Sequence, residues 1–149
     1  MSNRLSIEFI ATGNELLDGT TSDTNTQRLA LSLKSLGLMI SRTTVIQDDA
    51  AVISKTFVEA ATRSSVVIVS GGLGPTTDDI TIEVAAKTFG AKLVSNSKAL
   101  SNVKNRLRFL KRKPNPGNLK QALIPAGAKV LMNSEGTAPG IQWPVGDVT

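Results

Sequence analysis

The stretch VVIVSGGLGPTTDDIT, residues 66 to 81, combines a β-branched run, three glycines and two adjacent carboxylates. Residues 66–69 are short and β-branched enough to form a buried parallel strand. The segment DDITIEVAAKTFG, residues 78–90, predicts a helix that ends at Gly90. A strand that runs through a glycine loop into a helix is typical of an open α/β sheet.

The same alternation of strand and helix precedes this stretch. RLSIEFIAT (residues 4–12) and LMISRTTVI (38–46) predict strands, and DTNTQRLALSLKSLG (23–37) and DDAAVISKTFVEAATR (48–63) predict helices. The apolar stripes of the two helices are Leu29, Leu33 and Leu36, and Ile53, Phe57 and Ala60. Right-handed crossovers between such strands predict an open, mostly parallel sheet that is covered on both faces.

The second half of the chain is less regular. SKALSNVKNRLRFLKRK (97–113) fits an amphipathic helix that ends near Lys113, before Pro114. Its inward positions are Leu100, Val103, Leu107 and Leu110. Residues 114–118 predict a turn, and residues 120–140 one short strand between Gly/Pro turns. No repeat or linker interrupts the chain, so we expect a single domain over residues 1–149.

Composition restricts the chemistry. The 149 residues contain no Cys, His or Tyr, which removes disulfides, thiolate nucleophiles, His-based triads and His/Cys zinc sites. Catalysis would depend on carboxylates, Lys or Arg, hydroxyls, backbone amides and an oxygen-ligated cation such as Mg²⁺. No apolar stretch reaches the ~20 residues of a membrane span, and MSNRLSIEF lacks the apolar core of a signal peptide. We therefore expect no membrane association and a cytoplasmic protein.

Charge is divided unevenly between the two parts of the chain. Residues 1–90 hold seven Lys/Arg and ten Asp/Glu, whereas residues 91–149 hold ten and two, which gives the net charge of +5. The basic part either faces phosphate or forms a solvated helix surface. Six of residues 104–113 are basic, but only Phe109 in that window could stack on a base, so we do not expect nucleic acid binding.

Two loops share one layout. TGNELLDGTTSDTN (12–25) and SGGLGPTTDDIT (70–81) each begin with a hydroxyl residue and a glycine and lead into a helix with acid in its first turn. Glycines permit close backbone approach to a ligand, and amides at a helix start bind anions. The spacing matches neither a P-loop nor the dinucleotide-binding fingerprint.

The acids of these loops have two interpretations. A divalent cation bridges Asp23, Asp78 or Asp79 to a phosphate or pyrophosphate, with Glu15 close by, or the aspartates only cap their helices. Asp48 and Asp49, at the start of the second helix, are expected to be caps alone.

These segments, together with VIQDD (45–49) and NSEGTAPG (133–140), resemble in order and spacing the N-terminal domain of the competence/damage-inducible protein CinA family. That domain is similar to the molybdopterin-binding MoaB/MogA proteins. The resemblance covers residues 5–141 and implies a three-layer αβα sandwich. It also implies homo-oligomers, either dimers or trimers.

The resemblance also implies a set of site residues. Asp79 matches the superfamily's essential aspartate, Asp23 the acid of the first loop, and Asp78 an additional acid of the CinA branch; we assign all three as catalytic and metal-binding. Asn115 and residues 120–122 resemble a family stretch near the same site. The ligand-binding positions are Gly13, Glu15, Ser70, Gly71, Gly72, Gly74, Thr81, Asn133, Gly136 and Thr137.

Two chemistries follow from the resemblance. CinA-like proteins are associated with metal-dependent hydrolysis of the pyrophosphate in ADP-ribose (Mg²⁺, Mn²⁺ or Co²⁺), and MogA-like proteins with molybdopterin binding and adenylyl transfer. Residues 1–149 end soon after the turn at which the family continues and do not reach its amidase domain, so we expect a domain truncated at its C-terminus. A binding module without catalysis is the third alternative. Trp143 either stacks on a purine or pterin or packs in the core, whereas Phe57 and Phe89 are expected in the core.

Overall fold

The computed structural model describes residues 5–149. The chain forms two compact units, of which the first extends to Gly71 and includes Gly146–Thr149, and the second is Gly72–Val145. Arg4, the first residue of the predicted first strand, lies outside the described residues.

The first unit contains the predicted alternation of strands and helices. Its elements are β1 (Ile7–Thr12), α1 (Asn14–Leu17), α2 (Thr24–Ser35), β2 (Arg42–Ile46), α3 (Ala50–Arg63) and β3 (Val66–Ser70). The three strands form a parallel sheet in the order β2-β1-β3. All six residues of β1 are buried, as expected for the central strand of a covered parallel sheet. The predicted parallel sheet is therefore confirmed for these strands.

The helices of the first unit bury most of the predicted stripes, with Leu29 only half-buried. Ile53, Phe57 and Ala60 of α3 are buried, and so is Leu33 of α2. The prediction for Leu36 is wrong, because its side chain is 72% exposed. α2 ends at Ser35, and Gly37 (φ 71°) then reverses the chain with the N–H of Leu38 donating to the carbonyl of Leu33.

A buried carboxylate lies in the central strand. Glu8 is 1% exposed, and its carboxylate accepts two hydrogen bonds from the Arg63 guanidinium, at 2.7 and 3.0 Å, and one from the Ser64 hydroxyl at 3.1 Å. Burial opposes ionisation of Glu8, but these bonds and the charge of Arg63 outweigh it and lower the pKa of Glu8 below its ordinary value. The strand thus contains a charged group whose hydrogen-bonding capacity is satisfied by α3 and its C-cap.

The second unit consists of short elements. They are α4 (Thr81–Thr88), β4 (Leu93–Ser95), α5 (Ser97–Phe109), α6 (Pro116–Lys120), β5 (Leu123–Pro125), β6 (Lys129–Leu131) and β7 (Gly140–Gln142). β4 pairs with β5, and β6 with β7, both antiparallel. The sequence predicts one short strand in residues 120–140 where β5 and β6 occur, and it predicts neither β4 nor β7. Strands of three residues are too short for a periodic pattern.

The predicted end of α5 is wrong. The helix ends at Phe109, and Lys111 adopts a left-handed conformation (φ 53°) while the N–H of Arg112 donates to the carbonyl of Leu107. This reversal of the chain ends the helix before Pro114 is reached. Leu110 is consequently 40% exposed, whereas Val103 and Leu107 are buried as predicted.

Within residues 5–149, no helix has the length and apolar character that a membrane span requires.

Candidate functional site: the glycine loops and the Asn133 turn

Asp79 organises the loop between β3 and α4. Its Oδ2 atom accepts hydrogen bonds from the backbone N–H of Thr76 at 2.9 Å and from the Thr76 hydroxyl at 2.6 Å. A Cβ atom at Gly74 would lie 2.4 Å from the same oxygen, so only glycine leaves room for the carboxylate. Burial opposes ionisation, but the hydrogen bonds from Thr76 and Gly74 and the charge of Lys120 lower the pKa of Asp79 below its ordinary value. Asp79 is therefore a half-buried, ionised side chain.

α6 holds this loop from one side. The Lys120 ammonium donates to the carbonyls of Thr76 and Asp79, both at 2.7 Å, and the Gln121 amide donates to the carbonyl of Leu73 at 3.0 Å. A Cβ atom at Gly117 would lie 2.0 Å from the Pro75 carbonyl oxygen, so the backbones of α6 and the loop are in direct contact. Asn115 forms a capping box with Asn118 at the start of α6.

The amide side of the loop remains available. Within residues 5–149, the backbone N–H groups of Thr77 and Asp78 have no intramolecular acceptor, and both residues are exposed. Gly72 has φ 59°, and its carbonyl accepts the N–H of Thr81, which is buried at the start of α4. Three of the loop's carbonyls accept hydrogen bonds from α6 and its C-cap residue, whereas the two amide donors at the tip stay unused.

The end of β3 belongs to the first unit. Gly71 has φ 104°, and a Cβ atom there would lie 2.0 Å from the carbonyl oxygen of Thr12, so no other residue fits. The hydroxyl of Ser70 accepts a hydrogen bond from the Asn25 amide at 2.8 Å. Ser70 is thus connected to the start of α2.

The first glycine loop also lies in the first unit. The N–H of Gly13 donates to the carbonyl of Ile46 at 3.0 Å, and the exposed carboxylate of Glu15 folds back over Gly13. Asp23 is the N-cap of α2: its carboxylate accepts the backbone N–H of Thr26 at 2.9 Å and also the Thr26 hydroxyl. The capping interpretation of Asp23 is therefore confirmed, and its role as a metal ligand stays a prediction.

Of the two other predicted caps, the structure confirms Asp49 but not Asp48. Asp49 caps α3 by accepting the N–H groups of Ala51 and Val52. Asp48 does not cap α3, because its carboxylate accepts the N–H of Asn14 at 3.3 Å instead. Asp78 is exposed.

The turn of residues 133–140 is built around two asparagines. The side-chain oxygen of Asn133 accepts the N–H groups of Glu135 and Gly136, and its amide donates to the carbonyl of Ala138. Asn102 of α5 is 4% exposed; it accepts the N–H of Asn133 at 2.9 Å and donates to the carbonyl of Thr137 at 3.3 Å. The predicted turn residues are thus held together and fixed to α5.

The sequence does not reveal the roles of Asn102 and Lys120 and leaves the role of Trp143 open. Asn102 and Lys120 act on loops that lie more than 30 residues away in the chain, and no local pattern identifies such contacts. Trp143 packs edge-to-face against Phe89 with ring centroids 6.0 Å apart, which favours the packing interpretation.

Known proteins share the fold. A family model described as "probable molybdopterin binding domain" matches residues 8–144. The tungsten cofactor synthesizing protein MoaB of Pyrococcus furiosus superposes with a TM-score of 0.54 at 18% identity, covering 95% of this chain and 81% of that protein. The predicted class, an α/β fold of the MoaB/MogA type, is confirmed.

The chain belongs to the CinA-like family. A crystal structure of the protein CinA from Thermoplasma acidophilum superposes with a TM-score of 0.87 at 36% identity, covering 99% of this chain and 86% of that protein. A CinA-like protein of Kosmotoga olearia is 47% identical over 133 residues, which are 89% of this chain and 32% of that protein. The chain spans about a third of the length of the curated relatives that it matches.

Proposed function

We propose that the chain binds a nucleotide or pterin phosphate at the loop of residues 72–81 and hydrolyses a pyrophosphate linkage with the help of a divalent cation. ADP-ribose is the substrate that the sequence resemblance suggests. The observation that carries the proposal is the ionised carboxylate of Asp79 at the base of a loop with unused amide donors.

Phosphate binding is supported by two exposed backbone amides that, within residues 5–149, have no intramolecular acceptor. The N–H groups of Thr77 and Asp78 donate to phosphate oxygens, as backbone amides do in many anion sites. Lys120 does not bind the phosphate directly in this proposal, because its ammonium already donates to two loop carbonyls. Its role is to hold the loop in the shape that exposes the amides.

A cation at this loop would have few protein ligands. Within residues 5–149, no group of three or more His, Cys, Asp or Glu side chains is arranged to hold a metal ion. Mg²⁺ is usually held by one or two carboxylates, with water and substrate phosphate completing the octahedron. Asp78 and Asp79 fit that mode, since both carboxylates can supply ligand oxygens to a cation in the loop that binds the phosphate.

The reaction is a displacement at phosphorus. A water oxygen forms a bond to one phosphorus and releases a proton to solvent, while the bond from that phosphorus to the bridging oxygen breaks and the bridging oxygen departs with the other phosphate. For ADP-ribose the products are AMP and ribose 5-phosphate. The cation, when bound, neutralises charge that develops on the phosphate oxygens. The loop amides fix the position of the phosphate, and Asp79 keeps the loop in its shape.

AMP release from ADP-ribose with Mg²⁺, Mn²⁺ or Co²⁺ tests the proposal. Asp79→Asn keeps an acceptor for the Thr76 donors but removes the charge, so we expect at least about a hundredfold loss of rate, as is typical of a removed electrostatic contact. Asp49→Asn is the matched control, because it also replaces a loop aspartate that accepts backbone N–H groups, and asparagine caps a helix equally well. Unchanged turnover in Asp79→Asn would refute the proposal.

A second candidate is binding of molybdopterin without hydrolysis, with or without adenylyl transfer, as the description of the matching family suggests. It shares the loop and the amides with the first proposal. Affinity for a pterin phosphate in a calorimetric titration, together with no AMP release from ADP-ribose with any of the three metals, would favour it. Homo-oligomer formation stays a prediction under either candidate.

A further inference from the structure

The second unit contains a cleft outside the glycine loop. Its volume is about 400 Å³, within the range of small-molecule sites. One wall is a face of α5 with Asn105, Arg106 and Phe109, and the other is formed after β6 by Met132, Asn133 and Ser134.

The rim of the cleft is apolar although it faces solvent. Phe109 is 74% exposed and Met132 is 63% exposed, so neither side chain contributes to the core. The Arg106 guanidinium lies 4.9 Å from the centre of the Phe109 ring, in a cation–π contact. The aromatic ring and the guanidinium offer flat surfaces, and the thioether a polarisable one, against which a planar ring can pack.

Arg106 has hydrogen-bonding capacity that the protein does not use. Within the described part of the chain its side chain forms no ion pair, and its Nε–H is buried without an acceptor. The sequence contains no Asp or Glu between Glu83 and Glu135, so α5 has no acid to pair with it. Glu135, next to the cleft, accepts the hydroxyl of Ser134. The cleft therefore favours an anionic group beside Arg106.

The second wall is fixed in position. Asn102, which is buried and also lines the cleft, accepts the N–H of Asn133 and donates to the carbonyl of Thr137. The side chain of Asn133 is itself held by three contacts within its turn. A ligand would thus meet a preorganised surface, which lowers the entropic cost of binding.

We propose that this cleft binds a planar heterocyclic anion of the nucleoside monophosphate class, with the ring stacked between Phe109 and Met132 and the anionic group at Arg106 and Asn105. Asn133 lines the cleft directly. The cleft does not include the loop of residues 72–81, so the inference stands independently of pyrophosphate hydrolysis.

Calorimetric titration of the whole chain with AMP, adenosine and ribose 5-phosphate tests this proposal, since only AMP carries both the ring and the phosphate. Arg106→Gln removes the charge and is expected to weaken AMP binding about ten- to hundredfold, which corresponds to the free energy of one hydrogen bond to a charged group. Phe109→Ala is expected to weaken it at least about fivefold through lost stacking, without affecting folding, because the ring is exposed. Arg108→Gln, which removes the same charge from the same helix outside the cleft, is the matched control and is expected to leave affinity within about twofold.

Several outcomes would overturn the inference. AMP that does not bind, or binds no more tightly than adenosine and ribose 5-phosphate, would show that the cleft does not combine the two contacts. AMP affinity that is unchanged in Arg106→Gln and Phe109→Ala but lost in Asp79→Asn would place the ligand at the glycine loop. That last result would support the proposed function while refuting the separate cleft site.

Discussion

The replacement of Glu8 by glutamine tests the account of the buried strand. A glutamine side chain at this position would be nearly isosteric, but its amide N–H₂ would replace one carboxylate oxygen that faces donors from Arg63 and Ser64. Breaking a buried ion pair costs about 3–5 kcal/mol, and the lower end applies here because the Arg63 side chain is 35% exposed and can reach water. We expect a loss of about 3 kcal/mol in the free energy of unfolding, or about 6–12 °C in Tm.

The pH dependence of that loss gives a second readout. The pKa of Glu8 in the folded protein lies below its ordinary value of 4.5, so the stability that its charge contributes is present above that pH and disappears as the pH falls through the folded pKa. The difference between parent and Glu8→Gln should therefore be full at about pH 7 and shrink towards about pH 3. Urea unfolding followed by circular dichroism measures it. A cost below about 1 kcal/mol, or an equal cost at both pH values, would refute the reasoning.

Two further predictions concern the glycine loop. Gly71→Ala forces a Cβ against the carbonyl of Thr12 and should lower the free energy of unfolding by at least about 2 kcal/mol more than Gly127→Ala does. Gly127 is the control because it also has positive φ but open space around it. Equal losses of stability in thermal unfolding of the two variants would contradict this prediction. Lys120→Met removes the ammonium that donates to two loop carbonyls, so it should raise the pKa of Asp79 and speed amide exchange in residues 73–79. An unaltered pKa of Asp79 in a carboxyl-carbon NMR titration would show that Lys120 does not act on the loop.

The sequence predicts the first unit better than the second. The β-branched runs and the 3.6-residue stripe of Ile53, Phe57 and Ala60 are local signals, and the structure confirms both. The end of α5 at Phe109 depends on a left-handed lysine, a conformation that composition does not favour. The strand β4 exists through pairing with β5, which lies far along the chain, and β6 and β7 are too short to show a period of their own.

The candidate site, like the fold, is predicted by the sequence only where the signals are local. Glycines and adjacent aspartates identify the loop of residues 70–81, because glycine and acid have direct conformational and electrostatic meaning. The groups that fix the loop, Lys120 and Gln121, lie 40 or more residues away and read in sequence as ordinary surface and helix-end residues. Asn102 is a polar residue beside an apolar helix stripe, and only the fold explains why it is buried.

The most direct test of the central claim is the ³¹P NMR spectrum of ADP-ribose after incubation with the chain and Mg²⁺, Mn²⁺ or Co²⁺, recorded once the metal has been removed. We predict that the two pyrophosphate signals give way to two phosphomonoester signals, from AMP and ribose 5-phosphate, and that a chelator added at the start prevents the conversion. Pyrophosphate signals that persist unchanged with all three metals would contradict the assignment of phosphoanhydride hydrolysis to this chain.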